Sequence, residues 1–121
     1  MAEAGFWVAW GLPTQGRERQ ALDLRNETWG YLEHLAQAGR IERFDLAILK
    51  PQTTELGGFI LIQGSQDQID SLRHDGDFQV WVNRVQLVAD RVGIVDAWVD
   101  EGLAEATDLY EEALQKAGLT S

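Results

Sequence analysis

Strand-like and helix-like hydrophobic patterns follow one another along this chain in a fixed order: strand, helix, strand, strand, broken helix, strand, and a last helix. Phe6 to Trp10 is a run of β-forming residues that stops at Gly11-Leu12-Pro13, a strand closed by a Gly/Pro turn. From about 17 to 38, Leu22, Trp29, Leu32, Leu35 and Ala36 share one arc of a helical wheel, while Asp23, Glu27, Glu33 and Gln37 lie opposite. Gly39 then stands where a helix exit favours glycine. From Ile41 to Lys50 the pattern switches to period two. Phe44, Leu46 and Ile48 point one way, and Arg43, Asp45, Ala47 and Leu49 the other, until Pro51 ends the strand. A hairpin loop over 52–58 leads to the short strand Phe59 to Gln63, which pairs antiparallel with its predecessor.

Ser65-Gln66-Asp67-Gln68 has the spacing of a capping box, so a helix begins there and runs through Leu72. Asp75-Gly76-Asp77 interrupts it, and Phe78, Trp81, Val82 and Val85 resume the helical pattern. Asp77 reads as the cap of the resumed helix. The span 92–99 is the last strand, with Ile94, Asp96 and Trp98 on one face and Val95, Ala97 and Val99 on the other. Leu103, Ala106, Leu109, Tyr110, Ala113, Leu114 and Ala117 mark a final helix that ends at Gly118. With no repeat or linker, residues 1–121 form one domain.

This order predicts the ferredoxin-like α+β plan: βαββαβ, a four-stranded antiparallel sheet, helices at about 17–38 and 65–87 on one face, and a C-terminal helix added. The second face is then bare. It is expected to carry Trp, Leu and Val together with Arg43, Asp45, Gln63, Asp96 and Trp98, and pairing of two copies through it into a homodimer is the economical way to bury it.

Composition narrows the function. Ten Lys and Arg against twenty Asp and Glu give a formal charge of -10, which repels nucleic acid and anionic membrane surfaces. No cysteine is present, so disulfides, thiolate metal sites and Cys nucleophiles are excluded, and a cytoplasmic location is expected. The chain shows no P-loop or dinucleotide fingerprint and no converging metal ligands, so neither a cofactor nor a metal is expected. Five tryptophans are many for this length, and packing is their default use.

Arg25-Asn26-Glu27-Thr28-Trp29-Gly30-Tyr31-Leu32, followed by Leu35 and Gly39-Arg40-Ile41, resembles the first-helix pattern of YCII-like proteins of the dimeric α+β barrel superfamily. Asp75-Gly76-Asp77-Phe78 and Gly93-Ile94-Val95-Asp96-Ala97 extend the resemblance over roughly Phe6 to Val99. It implies a dimeric barrel and a His/Asp active-site pair. Three residues after Arg25, where the family usually carries histidine, this chain has Thr28.

The candidate ligand-binding residues are Arg25, Trp29, His74, Asp77 and Trp81. Arg25 falls on the apolar arc of its helix, where a guanidinium needs either a protein carboxylate or the anion of a small acidic ligand. Trp29 or Trp81 would wall the pocket. His74, beside Asp75 and Asp77 at the helix break, reads either as an exposed turn residue or as a general base, whereas His34 reads as solvated surface. Two functions remain open: a small-molecule-binding or assembly domain without complete catalytic machinery, and a cofactor-independent isomerase, lyase or oxygenase in which His74 or Asp77 replaces the lost base.

Overall fold

A computed structural model describes residues 2–52 and 55–119. Strands β1 (Ala4–Trp10), β2 (Arg43–Ile48), β3 (Gly58–Gly64) and β4 (Gly93–Trp98) form one antiparallel sheet in the order β2-β3-β1-β4. Helix α1 (Glu18–Gln37) connects β1 to β2, helices α2 (Gln66–Arg73) and α3 (Gly76–Val88) connect β3 to β4, and α4 (Gly102–Lys116) follows β4. Two βαβ units thus interleave, each placing one strand between the two of the other, which is the expected ferredoxin-like plan. Positions 53 and 54, inside the hairpin loop expected at 52–58, lie outside the described residues.

The local signals act through ordinary chemistry. Gly39 takes φ +73°, a conformation costly for residues with a Cβ, and lets Arg40 N–H reach the Leu35 carbonyl at 2.9 Å while Gly39 N–H reaches Ala36. Both halves of the capping box at Ser65 and Gln68 are formed.

The core lies between the sheet and the helices. Phe6, Val8, Ile60 and Ile62 point from the central strands toward Leu24, Leu32 and Leu35 of α1, Ile69 and Leu72 of α2, and Phe78, Trp81 and Val85 of α3. Phe6 stacks on Phe78 with ring centroids 5.5 Å apart.

Three details depart from expectation. The helix break is present, but Asp75 caps α3, its Oδ1 accepting from Phe78 N–H at 3.0 Å, and Asp77 lies in the first turn. An N-cap side chain reaches the amide three residues on, so the cap for a bond to Phe78 must be Asp75. Along α1 the buried line is Leu24, Thr28, Leu32 and Leu35, which turns Trp29 to the flank, where its ring and that of Phe44 form a T-shaped pair with centroids 5.0 Å apart. Asp96 and Trp98 are not on the bare face. Pairing sets Asp96 opposite Phe6 and Trp98 opposite Ala4, on the helix-covered side, and Asp96 accepts from Arg73 at 2.8 Å. The bare face carries Trp7, Ala9, Arg43, Asp45, Ala47, Phe59, Leu61, Gln63, Val95 and Ala97, as the register of neighbouring strands dictates.

Candidate functional site

At one end of the core the helices stand away from the strands and leave a cavity of about 410 Å³, within the size range of small-molecule sites. The carboxyl ends of β1 and β2 and the start of β3 supply Trp10, Leu46, Ile48 and Ile60 as its floor. Helix α1 contributes Ala21, Leu22, Leu24, Arg25 and Thr28, and α3 contributes Trp81, Val85 and Val88. Leu12, Pro13, Leu49, Lys50, Pro51 and Leu56 from the two connecting loops surround the mouth.

Local packing fixes the two indoles. Trp10 lies on Gly58: a Cβ there would come within 2.7 Å of its ring, so only glycine lets the side chain settle against β3. Trp81 is buried, and its indole N–H donates to the Thr28 hydroxyl at 2.8 Å, a bond between α3 and α1 made inside the core. Thr28 therefore orients an aromatic wall of the cavity. Outside the core, Arg84 of α3 forks onto both carboxylate oxygens of Glu27 on α1 at 2.8 Å, which holds the Glu27 carboxyl below its ordinary range.

Arg25 and Trp81 both line the cavity. Arg25 is exposed at its rim, and among the described residues it makes no hydrogen bond or ion pair. Trp29 is outside, sharing a shallow adjoining depression with Arg25, Asn26, Leu46 and Ile48. His74 and Asp77 are not among the lining residues. His74 is the C-cap of α2, its Nδ1 2.9 Å from the Asp70 carbonyl, and Asp77 is exposed at the start of α3. The five candidates thus separate into Arg25, Trp81 and the neighbouring Trp29 at the cavity, and His74 with Asp77 at the break between α2 and α3.

That break has its own electrostatics. Asp75 is held below the usual carboxylate range by the Phe78 N–H and by Arg40, whose guanidinium donates to it at 3.0 Å. The Tyr31 hydroxyl is buried without a hydrogen-bond partner among the described residues, and burial, with Asp75 and Asp77 adding to it, pushes its pKa up to about 12. Among the described residues no group of three or more His, Asp or Glu converges to hold a metal ion, and no helix is long and apolar enough to cross a membrane.

Sequence patterns did not single out Trp10 or Lys50. Trp10 was recoverable from parity, since it follows Phe6 and Val8 on one strand face. Lys50 lines the cavity from just beyond the end of β2, a position that carries no pattern of its own. Among the described lining residues Glu18 is the one carboxylate and none is histidine, so the cavity presents an apolar interior with Arg25, Lys50 and Glu18 as its charged groups.

No family model and no curated protein matches this chain. Among solved structures it is similar to a dimeric protein of unknown function and ferredoxin-like fold from Bacteroides fragilis NCTC 9343, with a TM-score of 0.62 at 10% identity over 79% of this chain and 95% of that one. It is also similar to a dimeric ferredoxin-like protein of unknown function from Jannaschia sp. CCS1, with a TM-score of 0.59 at 12% identity over 80% of this chain and 98% of that one. At such identities the likeness establishes the ferredoxin-like fold.

Proposed function

We propose that this protein is a small-molecule-binding domain that takes an amphipathic carboxylate, with the apolar body of the ligand in the cavity between α1, α3 and the sheet and its carboxylate on Arg25. The observation that carries this reading is Arg25 itself: a guanidinium at the rim of an apolar cavity with no protein partner among the described residues. Guanidinium forks match carboxylates in geometry as well as charge, and with Lys50 also in the lining the two cations outnumber the one carboxylate there, Glu18. Trp10 and Trp81 offer flat apolar walls to a ring or an alkyl chain. The catalytic alternative assigned the base to His74 or Asp77, and both stand outside the lining, where Glu18 is the carboxylate present.

The same proposal includes assembly as a homodimer through the bare sheet face, on which Trp7 and Val95 are exposed. Both solved neighbours are described as dimeric. An affinity with YCII-like proteins, with Thr28 in the histidine position, and a cytoplasmic location for this cysteine-free chain belong to this reading as well.

Titration of intrinsic tryptophan fluorescence with phenylacetate and octanoate, and with the corresponding amides, tests the ligand. The acids should bind and the amides should bind at least tenfold more weakly. Arg25→Met should remove that preference while circular dichroism stays unchanged, because the side-chain volume is kept and no protein carboxylate is left unpaired. Equal binding of acids and amides, or an Arg25→Met variant that retains the preference, would overturn the assignment.

A further inference from the structure

Helix α4 is amphipathic, but its apolar side is covered by almost nothing. Leu103 is 56% exposed, Leu109 47% and Tyr110 67%, and of the strands it packs mainly against β4, from which it departs. Its base is fixed: Gly102 is buried so tightly on the Glu3 carbonyl that a Cβ has no room there. At its far end the helix closes on itself, with Gly118 at φ +72° and Leu119 N–H bonded to the Leu114 carbonyl. A helix of this length draws most of its stability from tertiary packing of its apolar side, so α4 as a lone arm is incomplete.

A second apolar surface on the same chain lacks a cover, namely the bare sheet face at the β1–β4 margin. Trp7 and Val95 are paired there in register, and Val95 is 55% exposed. We propose that α4 is a clasp: in a pair of chains, the α4 of each copy lays Leu103, Leu109 and Tyr110 on the sheet face of the other, against Trp7 and Val95. This rests on the dimer reading above and names the element that holds the dimer.

Dimensions support it. The 15 residues of α4 span about 22 Å at the helical rise of ~1.5 Å per residue, and four strands at ~4.8 Å spacing are roughly 15–19 Å across, so the arm reaches over a sheet. The exposed apolar side chains of the arm and margin together amount to on the order of 500 Å² per copy, most of the ~800 Å² per partner that a stable interface of standard size buries. The charged residues Glu105, Asp108, Glu111 and Glu112 occupy the remaining surface of the arm and keep it in water. The occupant is a second copy because one interface then covers both apolar surfaces, and because its two-fold symmetry closes and leaves no further copy to be recruited.

The absence of cysteine gives a clean test. Two full-length variants are made, Leu109→Cys with an affinity tag and Val95→Cys without one, and mixed under mild oxidation after exchange of subunits. The clasp requires a disulfide between the two different chains, and it requires Tyr110→Glu to weaken dimerisation at least tenfold by analytical ultracentrifugation with helix content retained. If the wild type sediments as a dimer but cross-links form only between two Val95→Cys chains, or Tyr110→Glu dimerises normally, the clasp is wrong and the dimer stands. A wild type that is monomeric at high micromolar concentration overturns both.

Discussion

Thr28→Val isolates the bond on which the aromatic wall of the cavity depends. Thr28 and Trp81 are both buried, and the Thr28 hydroxyl accepts the indole N–H at 2.8 Å. Valine fills nearly the same volume, so the substitution opens no cavity. It leaves a buried indole N–H without an acceptor, at a cost of about 1–3 kcal/mol. For a domain of this size each kcal/mol corresponds to roughly 4 °C in Tm, so calorimetry should find unfolding lowered by about 4–12 °C. Thr28→Ser keeps the acceptor and loses one methyl, and should cost only about 1 kcal/mol. Trp81→Phe removes the donor. In its background Thr28→Val should therefore cost less than it does alone, and the double-mutant cycle should return a coupling of about 1 kcal/mol or more. If Thr28→Val lies within 0.5 kcal/mol of the wild type, or if valine and serine are equally disruptive, the bond does not set the position of the indole.

Gly58→Ala should destabilise by about 1–3 kcal/mol and shift Trp10 emission, because the new Cβ would sit 2.6 Å from the Ala47 carbonyl and 2.7 Å from the indole; unchanged urea denaturation and an unchanged spectrum would refute the packing described. Tyr31→Phe should leave stability equal or slightly raised at neutral pH, since it removes a buried hydroxyl that has no partner among the described residues. With a folded pKa raised to about 12, the contribution of the neutral phenol is complete below the unfolded value of about 10 and lost as pH rises toward 12, so urea midpoints at alkaline pH should fall more steeply for the wild type than for the variant. Asp75→Ala should cost about 1 kcal/mol as a lost N-cap. Because the folded carboxyl titrates below its ordinary range, that difference should hold at neutral pH and shrink only as acid protonates it, which denaturation midpoints from pH 7 downward would check.

Where information is local, the residues were legible. The helix exit at Gly39, the capping box at Ser65 and the parity of Phe44, Leu46 and Ile48 each depend on neighbours a few positions away, and the fold follows from their order. Which parity of β4 faces the helices was not legible, because Asp96 and Trp98 take their side from β1, distant in sequence. The line of α1 was misjudged by one residue for a related reason. Thr28 is polar by type, but its hydroxyl is satisfied by Trp81, so it lies inside while Trp29 turns out onto Phe44. Of the site, Arg25 and Trp81 could be found as a charge and an aromatic on amphipathic helices. The floor of Trp10, Leu46, Ile48 and Ile60 comes from three strands and has no signature of its own.

The two-residue interruption between α2 and α3 divides the helical layer mechanically. Helix α2 lies close on β1 and β3, whereas α1 and α3 approach each other more closely than either approaches a strand. The two are tied by Trp81 to Thr28 inside and Arg84 to Glu27 outside. An unbroken helix over 66–88 would couple any displacement of Trp81 to the seat of Ile69 and Leu72 in the core. With His74 and Asp75 breaking the helix, a small shift of Trp81 at the cavity is not carried along one rigid rod to the α2 side chains packed on β1 and β3. Adjustment to a guest is then expected to stay at the α1–α3 end of the layer, with amide exchange slowest where α2 covers the central strands.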